Sequence, residues 1–256
     1  MSEFVVVTDL HGRLGHLKQI QARYPGVQLI SGGDVVDGPE YSNVAETIEL
    51  LLEMGAICLS GNHDWNLSAV LYENNPEYRE AWLQIWQHNH LRTLESYGIE
   101  GLKTKEIIEA RVKADHLRQK IESRGHDKYF QNLQPYFRFG KFIVVHAGLR
   151  NDVSIEEQLT KLDDAQTLAK WSDFSSAPDQ IFDVDYYELS KSELVPSNES
   201  GTTLVTGHYH NKLTPEQRVT DNGRRVRLGT KYGDPKGPIN VWESWSGNVV
   251  PIFPRS

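Results

Sequence analysis

The run Phe4-Val5-Val6-Val7-Thr8 is apolar or β-branched throughout, which predicts a strand buried on both faces. Residues His16 to Tyr24 form a short helical pattern that Pro25-Gly26 breaks, and Val27 to Ser31 is the next strand. Val44, Ala45, Ile48, Leu51 and Leu52 then recur at helical spacing, predicting a helix over Ser42 to Met54 with Ser42 as cap. Gly55 closes it, and Ala56 to Ser60 is a third strand. This alternation predicts parallel strands joined by helical crossovers. From Trp65 to about Gln134 the pattern is helical without a convincing strand, with long amphipathic stretches at Tyr78 to Tyr97 and Lys105 to Ser123. An insertion or cap over the rest of the chain is expected there. Tyr136 to Phe139 and Phe142 to Val145 predict a hairpin about Gly140-Lys141. Ser154 to Trp171 is helical, Asp173 to Glu199 is acidic and loop-like, and Thr203 to Thr206 is a strand. The remainder, Arg224 to Leu228, Ile239 to Trp245 and Val249 to Phe253, has the punctuation of antiparallel strands.

Polar residues gather where these apolar runs stop. Asp9-Leu10-His11, Gly33-Asp34, Gly61-Asn62-His63-Asp64, His146 and Gly207-His208-Tyr209-His210 each follow one. Parallel sheets place their sites beyond the carboxyl ends of the strands, and the clusters fall there. A single Gly-Asn-His-Asp is equally a capped loop, but five such clusters are hard to explain by structure alone. Asp9, His11, Asp34, Asn62, His146, His208 and His210 form a carboxylate, amide and imidazole set without thiolate, suited to manganese, iron or zinc. Seven ligands exceed one ion and fit two if a carboxylate bridges, for which Asp34 is the natural choice. Two ions can clamp both oxygens of a phosphoryl displacement. His63 then remains as proton donor to the leaving oxygen, with Asp37 to orient its ring. His88, His90, His116 and His126 lack ligand-like spacing and are read as surface or packing residues.

At 256 residues one domain spanning the chain, residues 1–256, is the simplest expectation, with the insertion at about 65–134 inside it. A formal charge of −8 excludes an extended nucleic-acid footprint, which needs basic side chains. The single cysteine, Cys58, sits in an apolar run and reads as core. No stretch approaches the roughly 20 apolar residues of a membrane span, no membrane partner is expected, and the cytoplasm is the default compartment. The sequence does not specify an oligomeric state.

Taken in order, Thr8-Asp9-Leu10-His11-Gly12, Gly33-Asp34-Val35-Val36-Asp37-Gly38-Pro39, Gly61-Asn62-His63-Asp64, His146-Ala147-Gly148 and Gly207-His208 resemble the calcineurin-like metallophosphoesterases. The likeness is greatest to the Ser/Thr phosphoprotein phosphatase branch, which includes symmetrical diadenosine tetraphosphatases; Trp171-Ser172-Asp173 is similar to a further motif of that branch. The resemblance implies an α/β fold, a four-layer α/β-β/α sandwich, holding two divalent ions, manganese first, with iron, zinc or nickel as alternatives. It implies Asp9, His11 and Asp34 at the first metal, and Asp34, Asn62, His146 and His208 at the second. His63 would be the leaving-group acid and Asp37 its partner. His210 matches the second histidine of a Gly-His-x-His motif that binds the first metal. Two departures stand out. Asp37 runs straight into Gly38-Pro39 where the branch carries a phosphate-gripping arginine, so Arg150, Arg13 or the metals would have to grip phosphate. Asp64 replaces the usual glutamate, which fits dinucleotide hydrolases and phosphodiesterases better. The expected activity is phosphoester hydrolysis of a small-molecule or phosphoprotein substrate, as a phosphomonoesterase or, alternatively, a diadenosine polyphosphate hydrolase or phosphodiesterase. A metal-free binding scaffold would have lost ligands, and none is lost.

Overall fold

In chain order the elements are β1 (Phe4–Val7), α1 (Leu14–Arg23), β2 (Gln28–Ser31), α2 (Val44–Glu53), β3 (Ile57–Cys58), α3 (Asn62–Tyr72), α4 (Pro76–Trp86), α5 (Leu91–Ser96), α6 (Ile107–Ser123), α7 (Asp127–Gln131), β4 (Tyr136–Phe139), β5 (Phe142–Val145), α8 (Ile155–Lys170), β6 (Thr203–Thr206), β7 (Val219–Thr220), β8 (Arg225–Arg227), β9 (Ile239–Glu243) and β10 (Val249–Ile252). They come from a computed structural model that describes residues 3–38, 43–86, 91–102, 106–150, 152–170, 191, 195, 201–208, 212–230 and 236–254. The expectations for Pro39, His88, His90, Trp171-Ser172-Asp173 and His210 lie outside the described residues, as does nearly all of the acidic stretch Asp173 to Glu199.

Two sheets carry the architecture, one ordered β10-β9-β1-β2-β3 and the other β4-β5-β6-β8-β7. β1, β2 and β3 run parallel, as the alternation of strand and helix predicts. The unbroken apolar run of β1 is explained by what lies on each side. Val5 and Val7 enter a core with Leu17, Ile20, Ile48 and Leu51 of α1 and α2. Phe4 and Val6 enter a second core between the sheets, with Val144, Val205, Val226 and Trp242. There the Phe4 ring meets Phe137 edge-on at 5.2 Å and Phe142 at 5.6 Å between centroids. Burying such a ring fully contributes about 1.5–3 kcal/mol. On the far side of the second sheet, Ile143, Val145 and Leu204 pack against Leu159 and Leu162 of α8. The layers are therefore helix, sheet, sheet, helix, which is the expected fold class.

Four local expectations need correction. The cap of α2 is Asn43, whose Oδ1 accepts the Glu46 N–H at 3.2 Å. β3 is confined to Ile57–Cys58, because Leu59 bridges Gln134 and leads the chain toward the second sheet. Helix α3 begins at Asn62 and not after Asp64, so Asn62 and His63 sit in a helical first turn. Finally, Arg224 to Leu228 was expected among antiparallel strands, yet β8 runs parallel to β6 and antiparallel only to the two-residue β7. β9 and β10 are antiparallel as expected and return to the first sheet, with Trp242 paired to Val6.

The helical insertion does not build a core of its own. Trp86, Leu117, Ile121, Tyr129 and Phe130 belong to the same apolar cluster as Val5 and Val7, and α5 packs on α2. Within it His126 is buried and bonded to the Tyr97 hydroxyl at 2.8 Å, a packing role, while His116 is exposed on α6. No helix among the described residues is long and apolar enough to cross a membrane.

Candidate metal centre and its supports

The loops leaving β1, β2, β3, β5 and β6 converge at one end of the two sheets. Backbone bonds fasten them to one another: Asp9 N–H to Gly33 O at 3.0 Å, His11 N–H to Asp34 O at 2.8 Å, and Gly207 N–H to His146 O at 2.8 Å. Asp9, His11, Asp34, Asp37 and His208 all adopt positive φ, between 44° and 62°. A left-handed backbone disfavours side chains with a Cβ, so this concentration of strain marks a place where side-chain direction outweighs local comfort. The loops also approach very closely. A Cβ on Gly61 would collide with the Asp34 carboxylate, and one on Gly207 would stand 2.5 Å from Asp9 Oδ2.

Asp34 is the centre of the cluster. Its Oδ2 lies 3.2 Å from His146 Nε2 and 3.8 Å from His11 Nε2, and its Oδ1 accepts the His63 backbone N–H at 3.0 Å. Asn62 Oδ1 lies 3.2 Å from His146 Nε2 and 3.1 Å from His208 Nδ1, and those two nitrogens are 3.2 Å apart. His146 Nδ1 faces the Gly32 carbonyl at 2.9 Å, so Nδ1 keeps its proton in the neutral ring and Nε2 is the nitrogen that can turn a lone pair to a cation. His11 is set the same way, with Nδ1 on the carbonyls of Val36 and Asp37 at 3.1 and 3.2 Å. Either a proton or a metal cation can lie between these nitrogens and oxygens, and a backbone carbonyl on the far nitrogen is the usual support of a metal-bound histidine. Adjacent ligands about 2.1 Å from one ion in an octahedral shell stand about 3 Å apart. The spacing of Asp34, Asn62, His146 and His208 fits that requirement.

Among the described residues, two groups of acidic and histidine side chains bring candidate ligand atoms within 4.8 Å of one another: Asp34 with His146 and His208, and Asp34 with His11 and His63. Asp34 belongs to both, as a bridging carboxylate must. Asp9, expected at the first metal, is buried beside them, and its Oδ1 and Oδ2 lie 3.1 and 3.2 Å from the His208 backbone N–H, but it is in neither group. Arg13 is buried at the start of α1. Arg150 is exposed, with Nε and Nη2 on Asp152 at 3.0 and 2.8 Å.

Beside the cluster, His63 Nδ1 donates to Asp37 Oδ2 at 2.8 Å, which leaves Nε2 as the outward nitrogen. Burial would lower the His63 pKa, but the charge of Asp34, then the hydrogen bond and charge of Asp37, outweigh it and push the ring up to about 9. His146 is likewise opposed by burial and raised to about 9 by Asp34. Burial works against ionisation of Asp34 too, and His146, His63 and His11 together hold it well below the usual carboxylate value.

Spacing alone did not reveal three supporting residues. Asp64, noted only as a departure from glutamate, accepts backbone N–H groups of Asp34, Gly61, Val35 and Val36 at 2.7–3.2 Å and the Tyr129 hydroxyl at 3.0 Å. It ties the Asp34 loop to the start of α3, and an acidic residue at the third position of a helix is the signal that would have found it. Burial, then the charge of Asp34, raises its pKa to about 6 despite those donors. Tyr129 and Thr93, which bonds Asp37, come from the insertion and carry no local signal.

The imidazoles give a pH test. A group whose folded pKa is raised lends stability that is complete below its unfolded value, about 6.5 for histidine, and is lost as pH rises through the folded value. For His63 and His146 that window is about 6.5 to 9, and Asp34 and Asp64 titrate below it. The metal-free protein is expected to lose thermal stability across this window. With metal, which competes with the protons, the loss should shrink or reverse. Parallel melting curves with chelator and with Mn²⁺ check this, and two superimposable pH profiles would contradict it.

A sequence profile described as calcineurin-like phosphoesterase matches residues 2–227, and the chain belongs to that family. Comparison with curated protein sequences gives no match. Among solved structures, one named provisionally as a diadenosine tetraphosphatase aligns with 100% of this chain and 95% of its own at 15% identity and TM-score 0.52, a likeness of fold. A metallophosphoesterase from Sphaerobacter thermophilus aligns over 100% of this chain and 88% of its own, at 18% identity and TM-score 0.47. A serine/threonine phosphatase from Saccharomyces cerevisiae aligns over 99% and 80%, at 14% and 0.49.

Proposed function

We propose that the protein is a dimetal phosphoester hydrolase acting on phosphomonoesters, Ser/Thr phosphoproteins among them. The observation that carries this is the convergence of His11, His146, Asn62 and His208 around the single carboxylate of Asp34, with the His63–Asp37 pair at its edge. Asp34, Asn62, His146 and His208 would hold one ion, and Asp34 with His11 and Asp9 the other, with His210 assigned to the ion held by His11 and Asp9. When bound, the ions, manganese foremost, supply Lewis-acid polarisation of the phosphoryl group and a water of lowered pKa as nucleophile. The chain's own residues do the rest. With Nδ1 committed to Asp37, His63 presents Nε2–H to the leaving oxygen and gives it a proton as the ester bond breaks. Asp37 fixes the tautomer and stabilises the positive ring beforehand. Asp64 keeps Asp34 and α3 in register, so that acid and ligands hold their separation.

A second reading is hydrolysis of dinucleoside polyphosphates or phosphodiesters. Asp64 in place of glutamate and the missing arginine after Asp37 favour it, and so does the provisional name of the diadenosine tetraphosphatase above. The shared core of insertion and first sheet supports one domain, and the lone buried Cys58 suits a reducing compartment such as the cytoplasm. Turnover of p-nitrophenyl phosphate, a phosphothreonine peptide, bis-p-nitrophenyl phosphate and diadenosine tetraphosphate, each with Mn²⁺, separates the readings. Monoester hydrolysis at least tenfold above the others is the expected result. A preference for the anhydride or diester would establish the second reading, and no turnover on any would refute both.

A further inference from the structure

Thr93 lies in α5, inside the helical insertion, yet its hydroxyl is fully buried against Asp37. Its Oγ1 donates to Asp37 Oδ1 at 2.7 Å and accepts the Asp37 backbone N–H at 3.1 Å. One hydroxyl can do both, since it has a donor and two lone pairs. The other carboxylate oxygen of Asp37, Oδ2, holds His63 Nδ1 at 2.8 Å. The Asp37 backbone sits at φ 56°, and the terminal torsion of an aspartate is broad, so neither would by itself fix the plane of this carboxylate. Thr93 adds a constraint of that kind. It is β-branched and therefore stiff about its own first torsion. α5 in turn is packed on α2.

We propose that Thr93 is a positioning residue for leaving-group protonation: it sets the Asp37 carboxylate, through it the aim of His63, and so makes the helical insertion part of the proton-delivery apparatus. The proposal rests on the reading of His63 as the leaving-group acid. It gives the insertion a task at the site, carried by a hydroxyl that bonds Asp37.

The test is a double-mutant cycle on the Mn²⁺-loaded protein with an alkyl phosphate and p-nitrophenyl phosphate. Thr93→Val removes the hydroxyl at nearly constant volume. It is expected to lower kcat on the alkyl phosphate about 10–100-fold, the scale of a buried hydrogen bond to a charged group. KM and metal content should stay within twofold, the loss on p-nitrophenyl phosphate should be smaller, and Thr93→Ser should recover most of the rate. Because Thr93 acts through His63, Thr93→Val added to His63→Ala should cost nothing further. An undiminished kcat, or the same loss again in the His63→Ala background, would overturn the proposal while leaving His63 as the acid. If His63→Ala itself shows no dependence on leaving group, the parent assignment fails and this one with it. Should Thr93→Val not fold, Thr93→Ala removes the same hydroxyl and runs the same cycle.

Discussion

Exchanging Asp34 for asparagine is expected to reduce the metal content from about two ions per chain to one or none and to lower turnover roughly 10³-fold or more, several kcal/mol of lost charge stabilisation. Asp34 is the carboxylate shared by both candidate ligand groups, and the change removes the charge that holds them together. The side chain keeps its size. An amide oxygen can still accept the His63 backbone N–H that Asp34 Oδ1 takes at 3.0 Å, so the start of α3 should remain in place. Elemental analysis after Mn²⁺ saturation, alongside p-nitrophenyl phosphate turnover, gives the answer. A variant that keeps two ions and activity within tenfold of the parent would show that Asp34 does not bridge. An unaltered chain that reproducibly takes up only one ion would reject the dinuclear assignment itself.

His63→Ala should lower turnover of an alkyl phosphate by about 10²–10⁴-fold, the usual worth of a general acid. The p-nitrophenolate leaving group needs little protonation, so hydrolysis of its ester should fall much less. Metal content decides between two roles, because His63 also stands within 4.8 Å of His11 and Asp34 ligand atoms. Both ions retained, with a leaving-group-dependent loss, is the result expected of an acid whose Nδ1 is already committed to Asp37. Loss of an ion would make His63 a ligand. Equal losses on the two esters with the ions retained would make it a group that positions substrate or water.

The loops that bring the candidate ligands together are easier to read from the sequence than the residues that hold those loops. Asp34, Asn62, His146 and His208 each lie within three residues of the end of an apolar run, and a strand buried on both faces puts its polar residues at its end. Thr93 and Tyr129 were illegible for the opposite reason. Each is one polar residue in an amphipathic helix, and its partner is 56 or 65 residues away, chosen by the packing of the insertion and not by any spacing. The direction of β8 was missed for a related reason. A three-residue strand carries no record of which neighbour it will join, and its alignment with β6 is settled by the whole second sheet.

β1 has a further consequence for how this chain is made. Its partners are β2, which follows almost at once, and β9, with Val6 opposite Trp242 near the other end of the chain. Contacts between such distant positions carry a large loop-closure cost and form late. While the chain is being synthesised, β1 therefore presents an open hydrogen-bonding edge until β9 arrives. Open apolar edges invite pairing with other chains. The hairpin β9–β10 lies beyond residue 227, where the match to the family profile stops, yet it supplies the seal on that edge. The edge of β1 is thus closed only once the last strands have been made.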